Sequence, residues 1–491
     1  MTDRQLAAGS ARGGSTVLFG QAIKMGLQFV ALVVLSRLLS PEEFGLLAMV
    51  TAFTTLGELL RDFGTGIVGL QRRELSQQQA SNLFWMSTLL GMIASTCLAL
   101  ATPLLVALYQ EPRLAGVVPA LAGSILLNSM AAQLQVRLSR SGRYASLTLA
   151  DVTAMAFALI AAVAAALAGW GYWALVTQTL VLAASGLLLK SIAARWRPSL
   201  PRRDRANRSM VRDSGAFGTA QILNYFAQNL DTILIGSRFG ATSVGEYSRA
   251  FQLLTLPLNA LMTPLTQVVI PTVNRALRVG RSVDSVLLPL QFMLGFVLIG
   301  SFAIAAGTAE WLIPGLLGPD WSEVSPLFQI LAIGGSVWAL SRVSYWGFIA
   351  RNLSTQLLLY NVVTKVLATA LIVGGALISV DAVAWAASIG LILSWPVNLI
   401  WLSRCSDQDS SRYWWAGVRL LFAGASSAAA ALWVGATVNP WIGGVSGLCV
   451  YLSVIACFPA CRQELRAAFV VLKAVRPGRE PGSASEGSLP T

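Results

Sequence analysis

Six basic side chains fall inside long apolar runs: Lys24, Arg61, Arg249, Arg342, Lys365 and Arg419. Four acids share such surroundings, Glu58, Asp62, Asp151 and Asp231. A charge at bilayer depth costs about 2.5–3.5 kcal/mol on insertion scales, so it faces a cavity or a partner. Lys24, Arg249, Arg342 and Lys365 suit a phosphate-bearing ligand, the arginines by two-pronged contact. Amides surround them. Gln21 and Gln28 flank Lys24 on one helical face, Gln221, Asn224 and Gln228 form a second trio, and Gln252 and Asn259 follow Arg249. Such groups suit sugar hydroxyls, or hydrogen bonds between helices. Glu58, Arg61 and Asp62 lie near one helix face, so Arg61 fits a cavity and equally fits neutralising either acid. Asp62 and Asp231 are candidates for a coupling ion. Arg249 and Arg419 lie near the ends of their runs, where an arginine also reaches the interface. Lys24 is deeper and has no acid near it in sequence, which assigns it to the cavity.

No enzyme constellation accompanies these charges. The chain has no histidine, the commonest general base and metal ligand. It has no GxxxxGK[ST] phosphate loop, and its five cysteines lack metal-ligand spacing. A catalytic residue and a metal site are therefore not expected. A polymerase or ligase acting on membrane glycans usually carries a long outer loop with Arg or His. The longest candidate here, about 308–324, has no Lys, Arg or His and holds Glu310, Asp320 and Glu323.

The elements that position the charges are membrane helices. Of 491 residues, 55% are hydrophobic and 12% charged, against roughly 25% charged in soluble domains. Mean hydropathy is +0.66. The reading is an all-α integral membrane protein with fourteen candidate spans, near 15–36, 44–70, 82–108, 114–136, 146–168, 171–193, 214–237, 244–273, 285–307, 325–349, 355–378, 382–403, 413–436 and 440–461. The first is read as a retained span, because no cleavage signal follows it. With the N-terminus inside, 26 of the 35 Lys and Arg fall in inner segments and 3 in outer turns (Arg37, Arg113 and Arg238). That bias predicts both termini in the cytoplasm. The net charge of +13 thus reflects topology and anionic lipid, not nucleic acid. Expected domains are an N-tail (1–14), an N-lobe (15–193), a basic linker (194–213), a C-lobe (214–403), two further spans (413–461) and an inner tail (462–491). An amphipathic helix is expected over 462–475, and a disordered composition follows.

One device appears twice. Residues 36–45, SRLLSPEEFG, join two apolar runs, and Ser40, Pro41 and Glu43 predict a capping box at a helix start. Residues 237–247, SRFGATSVGEY, repeat the spacing with Ser243 and Glu246, placing Tyr247 where Phe44 stood. The trios 21/24/28 and 221/224/228 repeat at an offset of 200. Six spans per half predict a parallel repeat, two lobes around a cavity, and alternating access. Arg37 and Arg238, at corresponding places in the hairpins, are expected at an outer gate.

ALVVLSRLLSPEEFGLLAM (31–49), LRDFGTGIVGLQRRELSQQQASNLFW (60–85) and LDTILIGSRFGATSVGEYSRAFQLLTLPLN (230–259) resemble the Wzx-type polysaccharide-transporter flippases, most of all the exopolysaccharide and colanic-acid exporter branch. Their superfamily also holds the lipid II flippases and the drug-exporting MATE proteins. The resemblance covers about 15–405. It implies two six-helix lobes, with two extra helices in some members, in the bacterial inner membrane. It implies flipping of undecaprenyl-diphosphate-linked oligosaccharide from the inner to the outer leaflet for polysaccharide biosynthesis. Cavity cations of the relatives correspond to Lys24, Arg61 and Arg249, while Asn224 stands at a position suited to a cation on the seventh helix. No cofactor is implied, and coupling to H+, Na+ or membrane potential stays open. Implied partners are membrane lipids and the pathway's polymerase and chain-length proteins. The alternative, a MATE-type exporter of organic cations, calls for a net acidic lumen.

Overall fold

A computed structural model describes residues 3–62, 76–201, 206–278, 280 and 282–475. The expected continuation of the second span to residue 70, linker residues 202–205 and the tail from 476 lie outside the described residues. So do the side chains of Arg61, Asp62, Gln221, Asn224 and Gln228.

Every regular element among the described residues is helical. The N-terminal half holds α1 (Asp3–Leu38), α2 (Pro41–Asp62), α3 (Gln77–Leu100), the short α4 (Thr102–Tyr109), α5 (Leu114–Arg140), α6 (Tyr144–Leu167) and α7 (Trp173–Ala194). A broken helix, α8 (Ala206–Arg278), begins the second half. It continues with α9 (Asp284–Gly307), α10 (Ala309–Leu317), a 3-10 turn (Pro319–Trp321), α11 (Val324–Ala350), α12 (Ser354–Gly375), α13 (Val380–Cys405), α14 (Ser410–Thr437), α15 (Pro440–Cys457) and α16 (Pro459–Val475). Among the described residues, eleven segments are long and apolar enough to cross a membrane: 19–38 of α1, and α3, α5, α6, α7, α9 and α11 to α15. The two arms of α8, together with α2, stand in the places of the expected second, seventh and eighth spans.

The first hairpin forms as its residues dictate. Ser40 donates its backbone N–H to Glu43 Oε2 at 2.8 Å, and Glu43 N–H reaches back to Ser40 Oγ at 3.4 Å. This reciprocal pair satisfies donors that α2 cannot bond within itself. The second hairpin differs from expectation. Ser243 and Glu246 cap nothing, because they lie inside α8. The chain breaks earlier, at Gly240, with φ 84° and ψ −176°, a conformation open to residues without a Cβ. The break at 240 restores the offset of 200 from Ser40, so one register runs through both spans and turns of the repeat.

That register meets itself at the seam. A Cβ on Gly45 would lie 1.7 Å from the Ala241 carbonyl oxygen, and one on Gly245 would lie 1.9 Å from that of Pro41. Positions 45 and 241, and 245 and 41, thus form reciprocal contacts of backbone against backbone, as expected across a two-fold-related interface. α2 packs most extensively against α8, in the other half, and this crossing joins the lobes.

Within the N-lobe, small residues set the spacing. Ala150, Ala154, Ala158, Ala162 and Ala165 are the buried positions of α6, and Ala154 contacts the Cα side of Gly186 on α7. This stripe lets helices approach closely where lipid supplies no hydrophobic drive. In the second half, α9 is buried between α11 and α14. Its start is pinned by Asp284, which accepts from Arg351 at 2.6 Å and Tyr413 at 3.0 Å.

Candidate functional site

A cavity of about 650 Å³ opens between α1, α2, α6, α7 and the second arm of α8. Four of these helices belong to the N-lobe. α8 closes the cavity from the other lobe, bringing Arg249, Gln252, Thr255 and Asn259. α1 presents Gln21 and Gln28 at helical spacing, α7 adds Gln178 and Thr179, and Met25, Phe44, Met155 and Leu159 make apolar walls. Arg249 is the one cation among the described lining residues, and no carboxylate is among them. Its guanidinium carbon lies 3.7 Å from the centre of the Phe44 ring. A short hydrogen bond from Nη1 to Gln252 Oε1 fixes the side chain. Arginine over an aromatic face is a favourable but partial substitute for a counter-ion. The site therefore holds a lone positive charge, five amides and two hydroxyls. Such a surface can bind a phosphate group and hydrogen-bond a sugar.

The other expected cavity residues are elsewhere. Lys24 shares the α1 face with Gln21 and Gln28, yet its ammonium is held by Asp151 of α6 at 2.5 Å. Lys190 of α7 contacts the other oxygen of that carboxylate at 3.1 Å. Lys24 has no acid near it in sequence, and the acid it meets in space is 127 positions away in the chain. Arg342 on α11 lies against Trp338, 5.7 Å from the ring centre, and neither it nor Lys365 on α12 lines the cavity. Asp231 is buried away from the cavity and accepts from Tyr247 Oη and the Thr232 N–H, each at 2.8 Å. Arg419 pairs with Glu464 of α16 at 2.9 Å. Gln178 was not singled out from the sequence. Its signal was an amide within an otherwise apolar span, the same signal that marked Gln21 and Gln28.

Arg37 and Arg238 use one device at the hairpin end. Arg37 donates from Nε to Leu316 O at 2.9 Å and from Nη2 to Gly315 O, the last-turn carbonyls of α10. Arg238 donates to Ala376 O at 3.3 Å, just past the end of α12. A cation at a helix C-terminus satisfies free carbonyls and complements the dipole. Arg37 thereby ties the N-lobe to the second half, whereas Arg238 bonds within its own half. Beside Arg37, Trp321 is fully buried and donates Nε1–H to Ser36 O at 2.7 Å.

Fold and site together define a multi-pass membrane protein of two related helical lobes with a polar, cation-bearing cavity at their seam. Its fold is that of a lipid II flippase, MurJ in an inward closed conformation: TM-score 0.69 at 12% identity, over 93% of this chain and 99% of that one. Residues 34–326 match the polysaccharide biosynthesis protein family, to which the chain belongs. Among curated relatives, the teichuronic acid biosynthesis protein TuaB of Bacillus subtilis (strain 168) is 24% identical over 320 residues, 63% of this chain and 64% of that protein. The succinoglycan biosynthesis transport protein ExoT of Rhizobium meliloti (strain 1021) is 25% identical over 335 residues, 64% of this chain and 63% of that protein. The chain thus spans a little under two thirds of the length of these relatives.

Proposed function

We propose that this chain is a flippase that moves undecaprenyl-diphosphate-linked oligosaccharide across the bacterial inner membrane by alternating access. In this reading it performs no covalent chemistry. The observation that carries the proposal is the cavity's charge: Arg249 from one lobe faces amides from the other, with no carboxylate among the described lining residues. A diphosphate gains a charge-assisted partner there, and an organic cation gains none. The names of the relatives point the same way. TuaB is named for teichuronic acid biosynthesis, ExoT for succinoglycan transport, and MurJ as a lipid II flippase. The hairpin end faces outward and both termini lie in the cytoplasm, following the distribution of Lys and Arg. The lobes then meet on the outer side, so the cavity loads from within. Partners in this reading are membrane lipids and the polymerase and chain-length proteins of the same pathway.

The test is complementation in a strain whose polysaccharide depends on this chain. Arg249→Ala should lower polymer export at least tenfold at normal protein level, and Arg249→Lys should retain part of it, because lysine keeps the charge and loses the planar fork. Unchanged export in Arg249→Ala would remove the anion site. Greater sensitivity of the deletion strain to cationic drugs, with normal polysaccharide, would replace flipping with cation export.

A further inference from the structure

Phe44 sits between the cavity and the hairpin-end contacts. It is 4% exposed, in the first turn of α2. One face of its ring carries the Arg249 guanidinium at 3.7 Å. The Trp321 ring meets it at 5.4 Å and an interplanar angle of 64°, an edge-to-face arrangement. Trp321 in turn holds Ser36 O, and the next residue, Arg37, holds the end of α10. A continuous line of contacts therefore runs from the cavity cation to the tie between the lobes. Four residues carry it: Arg249, Phe44, Trp321 and Arg37.

The first link in this line can be displaced. Among the described residues Arg249 has no carboxylate partner, and its polar partner, Gln252, is neutral. A π face attracts a guanidinium far less than a diphosphate does, since the anion offers charge-assisted, two-pronged hydrogen bonds. A bound diphosphate would draw the guanidinium off the ring. Phe44 would then lose the contact that fixes one of its faces, and Trp321 would lose the orientation of its neighbour.

We infer that Phe44 is a positioning residue that holds Arg249 ready for a lipid diphosphate and transmits its occupation, through Trp321, to the Arg37 tie that keeps the hairpin end shut. This rests on the reading of Arg249 as the anion contact. It explains how a cavity loaded from one side opens to the other only when filled, because the ligand binds the two states unequally.

The experiment uses the full chain in detergent, its five cysteines replaced by serine, carrying Gly315→Cys on α10. Position 315 has no atom within 4 Å of an added Cβ, so the thiol is accommodated. The readout is the rate of labelling by a polar maleimide, with and without farnesyl diphosphate; farnesol is the control. Binding is measured separately by equilibrium dialysis. Farnesyl diphosphate should raise labelling about tenfold with Phe44 and with Phe44→Tyr, and farnesol should not. Phe44→Leu should bind the ligand more weakly and, once saturated, change labelling less than twofold. If Phe44→Leu does not fold, Trp321→Phe serves, since it keeps a ring and removes the donor to Ser36; it too should lose the response. An equal response in Phe44→Leu or Trp321→Phe overturns the relay. So does ligand bound to the Phe44 protein without faster labelling, and in that case the anion site stands. Absence of farnesyl diphosphate binding overturns both readings.

Discussion

The charge that sets Lys24 apart from Arg249 is Asp151. Two ammonium groups, from α1 and α7, converge on this one carboxylate of α6. The group is partly exposed, with 24% of its side chain accessible, so the pairing is worth less than in a dry core. The two sides are still unequal. Asp151→Ala leaves two cations facing each other, while Lys24→Ala leaves the Asp151–Lys190 pair intact. Thermal unfolding in detergent should show Asp151→Ala destabilised by on the order of 2 kcal/mol, and Lys24→Ala by clearly less. Equal losses would mean that Lys190 does not share the carboxylate. The sequence assigned Lys24 to the cavity because it is deep in its span and has no acid near it in the chain. The direction of its ammonium depends on α6 and α7, and local spacing carries no record of them.

At the scale of elements, the turns are where local chemistry and assembly meet. Gly45 and Gly245 allow the α2 and α8 backbones to touch. Alanine at either position must push main chain against main chain, which no rotamer change relieves. Gly45→Ala and Gly245→Ala should each lower stability by about 2 kcal/mol or more. The control is Gly26→Ala, which has no atom within 4 Å of the added Cβ and should be neutral or stabilising. A seam that tolerates both substitutions at the wild-type melting temperature would not have this crossing. A second element-level clip lies in the turn before α5. Arg113 bonds Glu111 at 2.8 Å and also reaches Glu42 at the start of α2. The Arg113 hydrogen bond holds the Glu111 carboxyl below its ordinary value, and burial opposes this. A depressed carboxyl stabilises the folded state above its unfolded pKa and loses that contribution as pH falls through the folded value. Arg113→Gln should therefore flatten the decline of melting temperature below about pH 4.3, the usual glutamate range. An unchanged acid limb would show that the clip contributes nothing. The capping box at Ser40 was legible because its bonds span three residues. The second cap was misread at Ser243 for the same reason: the motif is local, and Gly240 offered the chain an earlier break.

For the whole molecule, the lobes join where the repeat crosses itself, and the cavity lies beside that crossing. Charge on the lobes is distributed unequally. N-lobe lysines are absorbed by Asp151, and the cavity's positive charge comes from α8. Arg249 from α8 and the amides of α1 and α7 thus bring both lobes to one cavity. No carboxylate is among the described lining residues. α16 adds a contact from the C-terminal end, with Glu464 taking Arg419 of α14.

By itself the sequence determined the membrane class, the apolar helices and the first hairpin. These follow from composition, periodicity and contacts within a few residues, and tertiary packing does not override them. It also carried the offset of 200, since a duplication is written in residue order. Only the tertiary structure decided which charges face the cavity and how the second hairpin breaks. Lys24 meets its acid across 127 positions, and Arg249 meets Phe44 across the lobe boundary. Such pairings depend on which helix faces lie opposite one another, a property of the packed bundle that no single helix contains.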